Sequence, residues 1–483
     1  MTLKDTSLLR SQCYVGGQWV NADSSETFDI LNPATGEVVS TVPRFGADET
    51  RRAIERANAA LPGWRAKTAK ERSVILKKWH ALILENLEDL ALLITMEQGK
   101  PLSESQGEIA YASKFIEWFA EEAKRVYGDI IPSDEHDKRI MVIKQPIGVV
   151  GAITPWNFPA AMITRKCSPA LAAGCTIVVK PDENTPLTAF ALAELGERAG
   201  FPPGVINIVT GNPVAVGGEL TSNPIVRKIS FTGSTAVGKL LMEQCASTVK
   251  KVSLELGGNA PFIIFDDADI EQAVDGLMKS KFRNMGQTCV CANRIFVQDG
   301  IYDAFAKALV SEVEKLQLGP GLNEGVQQGP MINMQAVEKV EAHIADALDK
   351  GARIECGGGR HELGGTYFQP TVLTGMNADM RSMREEIFGP MAPLFRFREE
   401  DEVIAMANNT QFGLAAYCYT RDLGRFFRVS EGLEYGIVGI NTGMISNEMS
   451  PFGGVKESGI GREGSRYGIE DFVEIKYINV GGI

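Results

Sequence analysis

The sequence has no long apolar run and very few histidines. Its most apolar segments, such as IGVVGAI at 147–153, reach less than half of the roughly 20 residues that a membrane-spanning helix needs. The N-terminal segment MTLKDTSLLRSQCYVGG lacks the continuous apolar core of a signal peptide. The four histidines, at positions 80, 136, 343 and 361, form no ligand-spaced cluster with cysteine. These absences argue against a membrane protein, against a metal site and against a Cys–His protease.

Positive charge is also in short supply, since 49 Lys and Arg residues stand against 61 Asp and Glu residues and the formal net charge is -12. Such a chain has no electrostatic reason to bind nucleic acid or an anionic membrane, although a local cluster of arginines could still bind an acidic substrate. Paired cysteine spacings are absent as well, because the eight cysteines are scattered along the chain. They predict no disulfide framework, and a reducing cytoplasm is the simplest location.

A chain of 483 residues exceeds what one hydrophobic core usually supports, so two or more domains are expected. Over 48–127, apolar residues recur every three or four positions, which predicts helices. From Gly148 onward, β-branched runs such as GVVGAIT and RKISFTG alternate with helical segments. This alternation predicts βαβ units, a doubly wound parallel sheet, and ligands at the carboxyl ends of its strands. A second α/β region runs from about 257 to 440.

Several predicted strands end in polar groups that could bind a nucleotide. The turn at Gly233 and Ser234 opens a helix, so it is either a phosphate site with free N–H groups or a structural turn. Lys180 and Glu183 follow another strand, where they either hydrogen-bond ribose hydroxyls or are simply solvated. Asn157, after GAITPW, is either a turn former or an amide donor to an oxyanion.

Two further segments offer basic and nucleophilic groups. Glu255 ends an apolar strand, where burial would raise its pKa toward that of a general base unless the carboxylate is simply paired. The segment NMGQTCVCANR places Cys289 and Cys291 one residue apart, among polar residues and a glycine. Such surroundings are unusual for two cysteines that only fill space. The residues by themselves do not decide which thiol reacts.

Seven motifs occur in order along the chain: TPWNFP, KPxExTP, FTGSTxVG, LELGGNAP, GQTCVC, EEIFGP and PFGGVKxSGxGRE. In these motifs and their spacing, the chain resembles the NAD(P)-dependent aldehyde dehydrogenase superfamily over essentially its whole length. The stretches AMITRK, KFRNMGQTCVCANR and REGSRYGIEDFVEIKY resemble most the members that oxidise succinate semialdehyde. The resemblance implies an α/β fold with an NAD(P)-binding domain at 1–128 and 147–256 and a catalytic domain at 257–440. A hairpin at 129–146 and the tail at 467–483 would form a small oligomerisation sheet.

The resemblance also implies roles for individual residues. Cys289 resembles the nucleophile that forms a thiohemiacetal, and Asn157 with the Cys289 backbone N–H resembles the oxyanion donors. Glu255 resembles the base that activates water against the thioester. Lys166 and Glu463 match positions that orient the site or relay protons. The positions that match cofactor-lining residues are Trp156, Asn157, Lys180, Glu183, Gly233, Ser234, Leu256, Glu386 (at the nicotinamide ribose) and Phe388.

The resemblance further implies the substrate and the cofactor. Arg165 and Arg283 match arginines that bind a substrate carboxylate, and Ser446 matches a serine that assists them. Succinate semialdehyde is therefore the first candidate substrate and glutarate semialdehyde the alternative; a structural ion pair is the other explanation for each arginine. The Glu183 carboxylate would meet a 2′-phosphate with like charge, so NAD is expected to be preferred, with NADP possible. A homodimer or homotetramer and a role in GABA degradation are also implied.

Cys291 is not required for this chemistry. It either fills space behind the nucleophile, or it resolves oxidised Cys289 as a reversible disulfide, as the resemblance to redox-sensitive family members with CVC implies. Three rival functions are a catalytically silent binding protein, an acylating enzyme and a cofactor-free thiol hydrolase. The first is disfavoured because Cys289, Glu255 and Asn157 are all present. Glu255 argues against the second, and the sheet-edge motifs argue against the third.

Overall fold

A computed structural model describes residues 2–483. Its α-helices are α1 (Ala47–Arg65), α2 (Ala69–Glu85), α3 (Leu87–Gln98), α4 (Leu102–Glu122), α5 (Ala161–Ala173), α6 (Leu187–Ala199), α7 (Pro213–Ser222), α8 (Thr235–Ala246), α9 (Ile270–Lys281), α10 (Tyr302–Val313), α11 (Met334–Asp349), α12 (Glu400–Asn408) and α13 (Leu423–Gly432). Its β-strands are β1 (Cys13–Val15), β2 (Gln18–Val20), β3 (Thr27–Leu31), β4 (Val38–Pro43), β5 (Asp129–Ile131), β6 (Lys138–Pro146), β7 (Val149–Ile153), β8 (Thr176–Lys180), β9 (Ile206–Ile208), β10 (Val226–Thr232), β11 (Lys251–Glu255), β12 (Ala260–Ile264), β13 (Ala292–Gln298), β14 (Arg353–Cys356), β15 (Thr371–Met376), β16 (Met391–Phe397), β17 (Ala415–Tyr419), β18 (Ile437–Ile440), β19 (Gly459–Ile460) and β20 (Val473–Gly481).

The first sheet has eight strands in the order β19-β11-β10-β7-β8-β9-β1-β2. Its five central strands, β11 to β9, are parallel. They are rich in β-branched residues, and every residue of β8 (TIVVK) is buried because helices cover both faces of the sheet. The predicted helices over 48–127 are α1 to α4, and the predicted doubly wound parallel sheet is confirmed.

The second sheet has seven strands in the order β14-β15-β16-β13-β12-β17-β18. All neighbours in it are parallel except β14, which pairs antiparallel with β15. Apolar clusters lie on both faces of this sheet as well. The second α/β region therefore forms a core of its own.

The third sheet joins the predicted hairpin to the tail of the chain. β20 pairs antiparallel along the whole of β6, from Val473 opposite Pro146 to Gly481 opposite Lys138, and β5 pairs with the other edge of β6. Ile130 and Ile475 on this sheet have exposed fractions of 82% and 70%. The segment before the tail supplies β19, whose Gly459 lies opposite Glu255 at the end of β11. Among residues 2–483, no helix combines the length and apolar character needed to cross a bilayer.

Candidate active site

The polar residues selected from the sequence lie together at the carboxyl ends of the strands of the first sheet. Asn157 follows β7, Gly233 and Ser234 follow β10, and Glu255 is the last residue of β11. Because these strands are parallel neighbours, their carboxyl ends lie side by side. The loop between α9 and β13 of the second α/β region, which carries Cys289, faces this edge.

A left-handed turn sets the course of the cysteine loop. Asn284, Met285 and Gly286 have φ angles of 50°, 57° and 72° in succession. A Cβ atom at Gly286 would lie 2.3 Å from the carbonyl oxygen of Gly389, so only glycine fits there. Asn284 Nδ2 donates to the Asn157 carbonyl at 3.1 Å, and the Asn284 backbone N–H donates to Glu104 at 2.9 Å. These bonds fix the turn despite its strained backbone.

Cys289 is half-buried and lies between two cavities. The first, called here the arginine cavity, has a volume of about 260 Å³ and is lined by residues that include Arg165, Arg283, Ser446 and Tyr111. The second, called here the Trp156 cavity, has a volume of about 250 Å³. Cys289 and Met162 are the lining residues that the two cavities share among those described. A group in either cavity can therefore reach the thiol.

Both arginines of the first cavity have unused donors. Arg165 is 2% exposed, its Nε lies 2.9 Å from a Glu463 oxygen, and its guanidinium lies 4.0 Å from the ring centroid of Phe452. The Arg165 Nη2 and the Arg283 Nε are buried and have no hydrogen-bond partner among the described residues. Unpaired guanidinium nitrogens beside apolar side chains are suited to an anionic group of a ligand.

Two buried carboxyl groups behind the thiol have opposite pKa shifts. Burial, and then the nearby charge of Glu463, raises the pKa of Glu255 well above its usual value. Burial also acts to raise the pKa of Glu463, but Lys166 and Arg165 outweigh it and hold that pKa below the usual value. Lys166 Nζ donates both to Glu463 and, at 2.6 Å, to Thr232. Glu463 is thus held as an anion, whereas Glu255 keeps its proton to a higher pH than an ordinary carboxyl group.

The thiol itself is protonated in this conformation. Burial raises the pKa of Cys289 to about 12, although the nearby charge of Arg165 acts in the opposite direction. The Glu255 charge is among the influences that raise it, which indicates that the two groups are close. Glu255 lines neither cavity, and one of its oxygens, Oε2, is buried without a partner among the described residues.

Asn157 is held at the thiol by a buried polar network. Its Nδ2 donates to the Gln287 carbonyl at 3.0 Å, and its own carbonyl accepts from Lys100 Nζ at 2.7 Å. Lys100 also forms a completely buried ion pair, 2.6 Å long, with Glu108. The sequence interpretation missed Lys100 and Glu108. The repetition of Glu104, Glu108 and Tyr111 at four- and three-residue intervals could have indicated a polar face on helix α4.

The Trp156 cavity has the features that a dinucleotide cofactor requires. The rings of Trp156 and Phe388 meet edge to face at 5.7 Å and form apolar walls. A Glu386 oxygen accepts from the Gly258 N–H at 3.0 Å, and burial raises the pKa of this carboxyl group. The predicted cofactor-lining residues that line this cavity are Trp156, Asn157, Gly233, Ser234, Leu256, Glu386 and Phe388.

Helix α8 begins at this cavity, and its N-cap is Ser234, whose Oγ accepts from the Val237 N–H at 3.4 Å. The positive end of the helix dipole and an acidic acceptor for a hydroxyl group fit a nucleotide with its phosphates and riboses. Lys180 and Glu183 do not line this cavity. They lie at the end of β8, where Lys180 Nζ is 3.3 Å from a Glu183 oxygen and the Glu183 side chain is 46% exposed.

Cys291 lies apart from both cavities. Its Sγ accepts from Lys281 Nζ at 3.4 Å, and its backbone N–H donates to the Thr288 carbonyl at 3.0 Å. Lys281 is completely buried, and burial lowers its pKa. Cys291 is thus the acceptor for a buried ammonium group.

A thiol placed in this way can add to a carbonyl carbon from one side while a nicotinamide on the other side accepts hydride, and this is the chemistry of a cysteine-dependent dehydrogenase. The model of the aldehyde dehydrogenase family matches residues 19–478, so the chain belongs to that family and is an oxidoreductase.

The relatives of the chain are similar over full length. It is 64% identical to succinate-semialdehyde dehydrogenase [NADP(+)] GabD of Escherichia coli over 481 residues, covering 100% of both chains. It is also 64% identical to the glutarate-semialdehyde dehydrogenase of Pseudomonas aeruginosa over 483 residues, again covering 100% of both. The crystal structure of an E. coli NADP dependent enzyme has a TM-score of 0.99 and 64% identity to this chain, and the match covers 99% of this chain and 100% of that one. The predicted aldehyde dehydrogenase fold is confirmed.

The predicted preference for NAD is wrong by this comparison, because the succinate-semialdehyde dehydrogenase of E. coli and the E. coli crystal structure are both named for NADP. The prediction rested on Glu183 as a fixed negative charge. The Glu183 side chain is instead 46% exposed and 3.3 Å from the Lys180 ammonium, and because such an exposed pair is weak the carboxylate can turn into solvent.

Proposed function

We propose that this enzyme oxidises a short aldehyde with a carboxylate at its far end, succinate semialdehyde first and glutarate semialdehyde as the alternative, with NADP as cofactor. The unpaired nitrogens of Arg165 and Arg283 in the cavity beside Cys289 carry this proposal. They would bind the carboxylate while the apolar wall holds the methylene groups and the aldehyde reaches the thiol. One methylene in such a pocket is worth only about 1–3 kcal/mol, so both semialdehydes are compatible with it.

The chemistry starts at Cys289, whose sulfur attacks the aldehyde carbon to form a thiohemiacetal. The thiol proton must leave as the bond forms. Glu255, whose charge acts on the thiol and whose pKa is raised, would accept this proton and release it to solvent before it acts as a base a second time. The Nδ2 of Asn157 and the backbone N–H of Cys289 would stabilise the oxyanion. The nicotinamide cofactor, when bound, supplies the hydride acceptor, and Cys289 is left as a thioester.

Hydrolysis of the thioester needs a water molecule activated by a base. We assign this role to Glu255, whose side chain would turn from its position beside Glu463 toward Cys289. Glu463, fixed by Lys166 and Arg165, would keep the Glu255 carboxyl group basic through its like charge. Ser446 would assist the arginines in holding the substrate.

The assembly proposed for the chain is a homodimer or homotetramer formed through the sheet of β5, β6 and β20. Exposed apolar side chains on this sheet, such as Ile130 and Ile475, support the proposal. The proposed location is the cytoplasm, because all eight cysteines are free and a reducing compartment preserves free thiols. A role in GABA degradation would follow from oxidation of succinate semialdehyde.

The substrate proposal is tested by replacing Arg283 with leucine. We expect Arg283→Leu to lower kcat/KM for succinate semialdehyde by about tenfold or more, the effect of losing a charged hydrogen bond. The value for butanal, which has no carboxylate, should change little. Arg398→Leu, at an exposed site away from the cavity, is the control. Equal losses on the two aldehydes would show that Arg283 has a structural role only and would refute the proposal.

The cofactor proposal is tested by comparing kcat/KM for NADP and NAD. We expect the value for NADP to be higher, and Lys180→Met to lower it more than the value for NAD, because the ammonium would pair with the 2′-phosphate. Lys70→Met, at an exposed site on helix α2, is the control. A wild-type kcat/KM for NAD equal to or above that for NADP would contradict the proposal.

A further inference from the structure

Tyr111 lies on helix α4, on the side that faces the arginine cavity, one turn beyond Glu108. Its hydroxyl oxygen is buried and has no hydrogen-bond partner among residues 2–483. Its ring meets the ring of Phe115 edge to face, with centroids 5.0 Å apart and planes at 81°. Phe115 is completely buried and also lies under the Arg165 guanidinium, at 5.5 Å. The tyrosine ring is therefore held against a rigid wall that it shares with Arg165.

A buried hydroxyl group without a partner is costly, so its retention at this position requires a reason. The nearby acceptors of the cavity are engaged elsewhere. Glu104 accepts from the Asn284 backbone N–H at 2.9 Å, and Glu108 accepts from Lys100 and from the Ala160 N–H at 2.8 Å. None of these groups accepts from the Tyr111 hydroxyl, so its proton is available to an acceptor on a ligand of the cavity.

The positively charged groups near Tyr111 would favour the binding of an anion in this cavity. The groups that act on its hydroxyl, after burial itself, are Arg165 and Arg283, with Cys289 and Glu463 acting in the opposite direction. Burial raises the pKa of Tyr111, so the group stays a neutral donor at every pH at which the enzyme would be assayed. A carboxylate has two oxygens and about four lone-pair positions, which is more than two guanidinium nitrogens use.

We propose that Tyr111 determines specificity by donating its hydroxyl proton to the acid group of the substrate, as a third donor beside Arg165 and Arg283. This inference rests on the proposed function, since it takes the acid group of the substrate to bind in the arginine cavity. Tyr111 would add to the binding of acidic aldehydes and nothing to the binding of uncharged ones.

The test is Tyr111→Phe, assayed with succinate semialdehyde and with butanal. We expect kcat/KM for succinate semialdehyde to fall by about tenfold or more, mainly through KM, because a hydrogen bond to a charged group is lost. The value for butanal should change by less than about twofold, since no acid group is present. Tyr367→Phe is the matched control, because Tyr367 also has a buried hydroxyl without a partner but lies outside the cavity.

A second measurement does not depend on turnover. Succinate, the product, should raise the Tm of the wild type and of Tyr367→Phe, and should raise that of Tyr111→Phe much less. Equal losses on both aldehydes, or an unchanged response to succinate, would overturn the role of Tyr111. If Arg283→Leu keeps its preference for the acidic aldehyde, the proposed function fails. If Arg283→Leu loses that preference while Tyr111→Phe keeps it, only the inference about Tyr111 fails.

Discussion

At the scale of single residues, Cys291 has a structural partner that the sequence did not reveal. Within residues 2–483, its sulfur is the only hydrogen-bond acceptor of the buried Lys281 ammonium. The redox role of Cys291 remains a prediction. In it, a sulfenic acid on Cys289 reacts with the Cys291 thiol to form a disulfide and water. The loop would have to move for this reaction, because the Cys291 side chain is turned toward Lys281 and not toward the cavities.

Two substitutions of Cys291 separate the redox role from the packing role. Cys291→Ser keeps an acceptor for Lys281, whereas Cys291→Ala leaves the ammonium without one and should lower the free energy of unfolding by about 1–3 kcal/mol. Reduced Cys291→Ser should be active. After mild peroxide, dithiothreitol should restore the wild type but not the serine variant, in which Cys289 oxidises further. Equal recovery of activity in both would leave Cys291 with the packing role alone.

The acid limb of the pH profile should report Glu255. This group acts as a base only when deprotonated, so kcat should rise with pH through a pKa above the usual carboxyl range. Glu463→Gln removes a like charge that raises this pKa, so the limb should shift to lower pH. The measurement is the kcat–pH profile of the variant and of Glu431→Gln, an exposed control. A limb that stays in place or shifts to higher pH would contradict this assignment.

At the scale of secondary structure elements, a carboxylate distant in sequence caps helix α6. Pro186, the N-cap residue, makes no side-chain cap. Glu97, completely buried on α3, takes its place by accepting from the backbone N–H groups of Leu187 at 2.7 Å and Thr188 at 2.9 Å. Glu108 does the same for the residues that begin α5. The first backbone N–H groups of α5 and α6 thus each donate to a carboxylate from another helix.

Replacing one oxygen of the Glu97 carboxylate by an NH2 group should lower the free energy of unfolding. In Glu97→Gln, an NH2 group would face one of the two backbone N–H donors, so that donor loses its acceptor. The expected loss is about 1–3 kcal/mol of unfolding free energy, measured as a lower Tm. Glu85→Gln, at an exposed position on α2, is the control. An unchanged Tm in Glu97→Gln would show that the cap contributes nothing.

Local patterns were enough to predict most elements, because the apolar residues on the buried face of a strand or helix recur every two to four positions. The caps could not be predicted, since Glu97 is about ninety positions from its partners. The strand β1, next to the edge of the first sheet, and the short β19 were also missed. They are too short to show a period, and their register depends on Ile208 and Glu255, distant residues that they pair with.

At the scale of the whole molecule, the sheet of β5, β6 and β20 exposes large apolar side chains to solvent. Ile475→Lys would place a charge on its exposed surface, and we expect the molar mass in light scattering to fall relative to the wild type if this sheet joins subunits. Lys476→Gln, the next residue on β20, is the control. An oligomer that persists in both Ile475→Lys and Ile130→Lys would refute an interface at this sheet.

The motifs were enough to predict those residues of the candidate site that are positioned by their own loop. Cys289, Asn157 and Glu386 stand in motifs and line the two cavities, and their catalytic and binding roles remain predictions. Tyr111 carried no motif, because its place depends on how α4 packs across the arginine cavity. The NAD preference failed for a related reason, since the effect of Glu183 depends on its exposure and on Lys180.

The two cavities meet at a single thiol, and this has a consequence for inhibitor design. A short electrophile that ends in a carboxylate would be delivered to Cys289 through the arginine cavity, while the Trp156 cavity stays open. Such a compound would not have to compete with the nucleotide for space. It would also discriminate among family members, because an enzyme without arginines in the corresponding cavity would offer its acid group no partner. On the proposed role of Arg165 and Arg283, an acid group at the right distance from the reactive carbon would favour covalent labelling of this chain over aldehyde dehydrogenases that lack the two arginines.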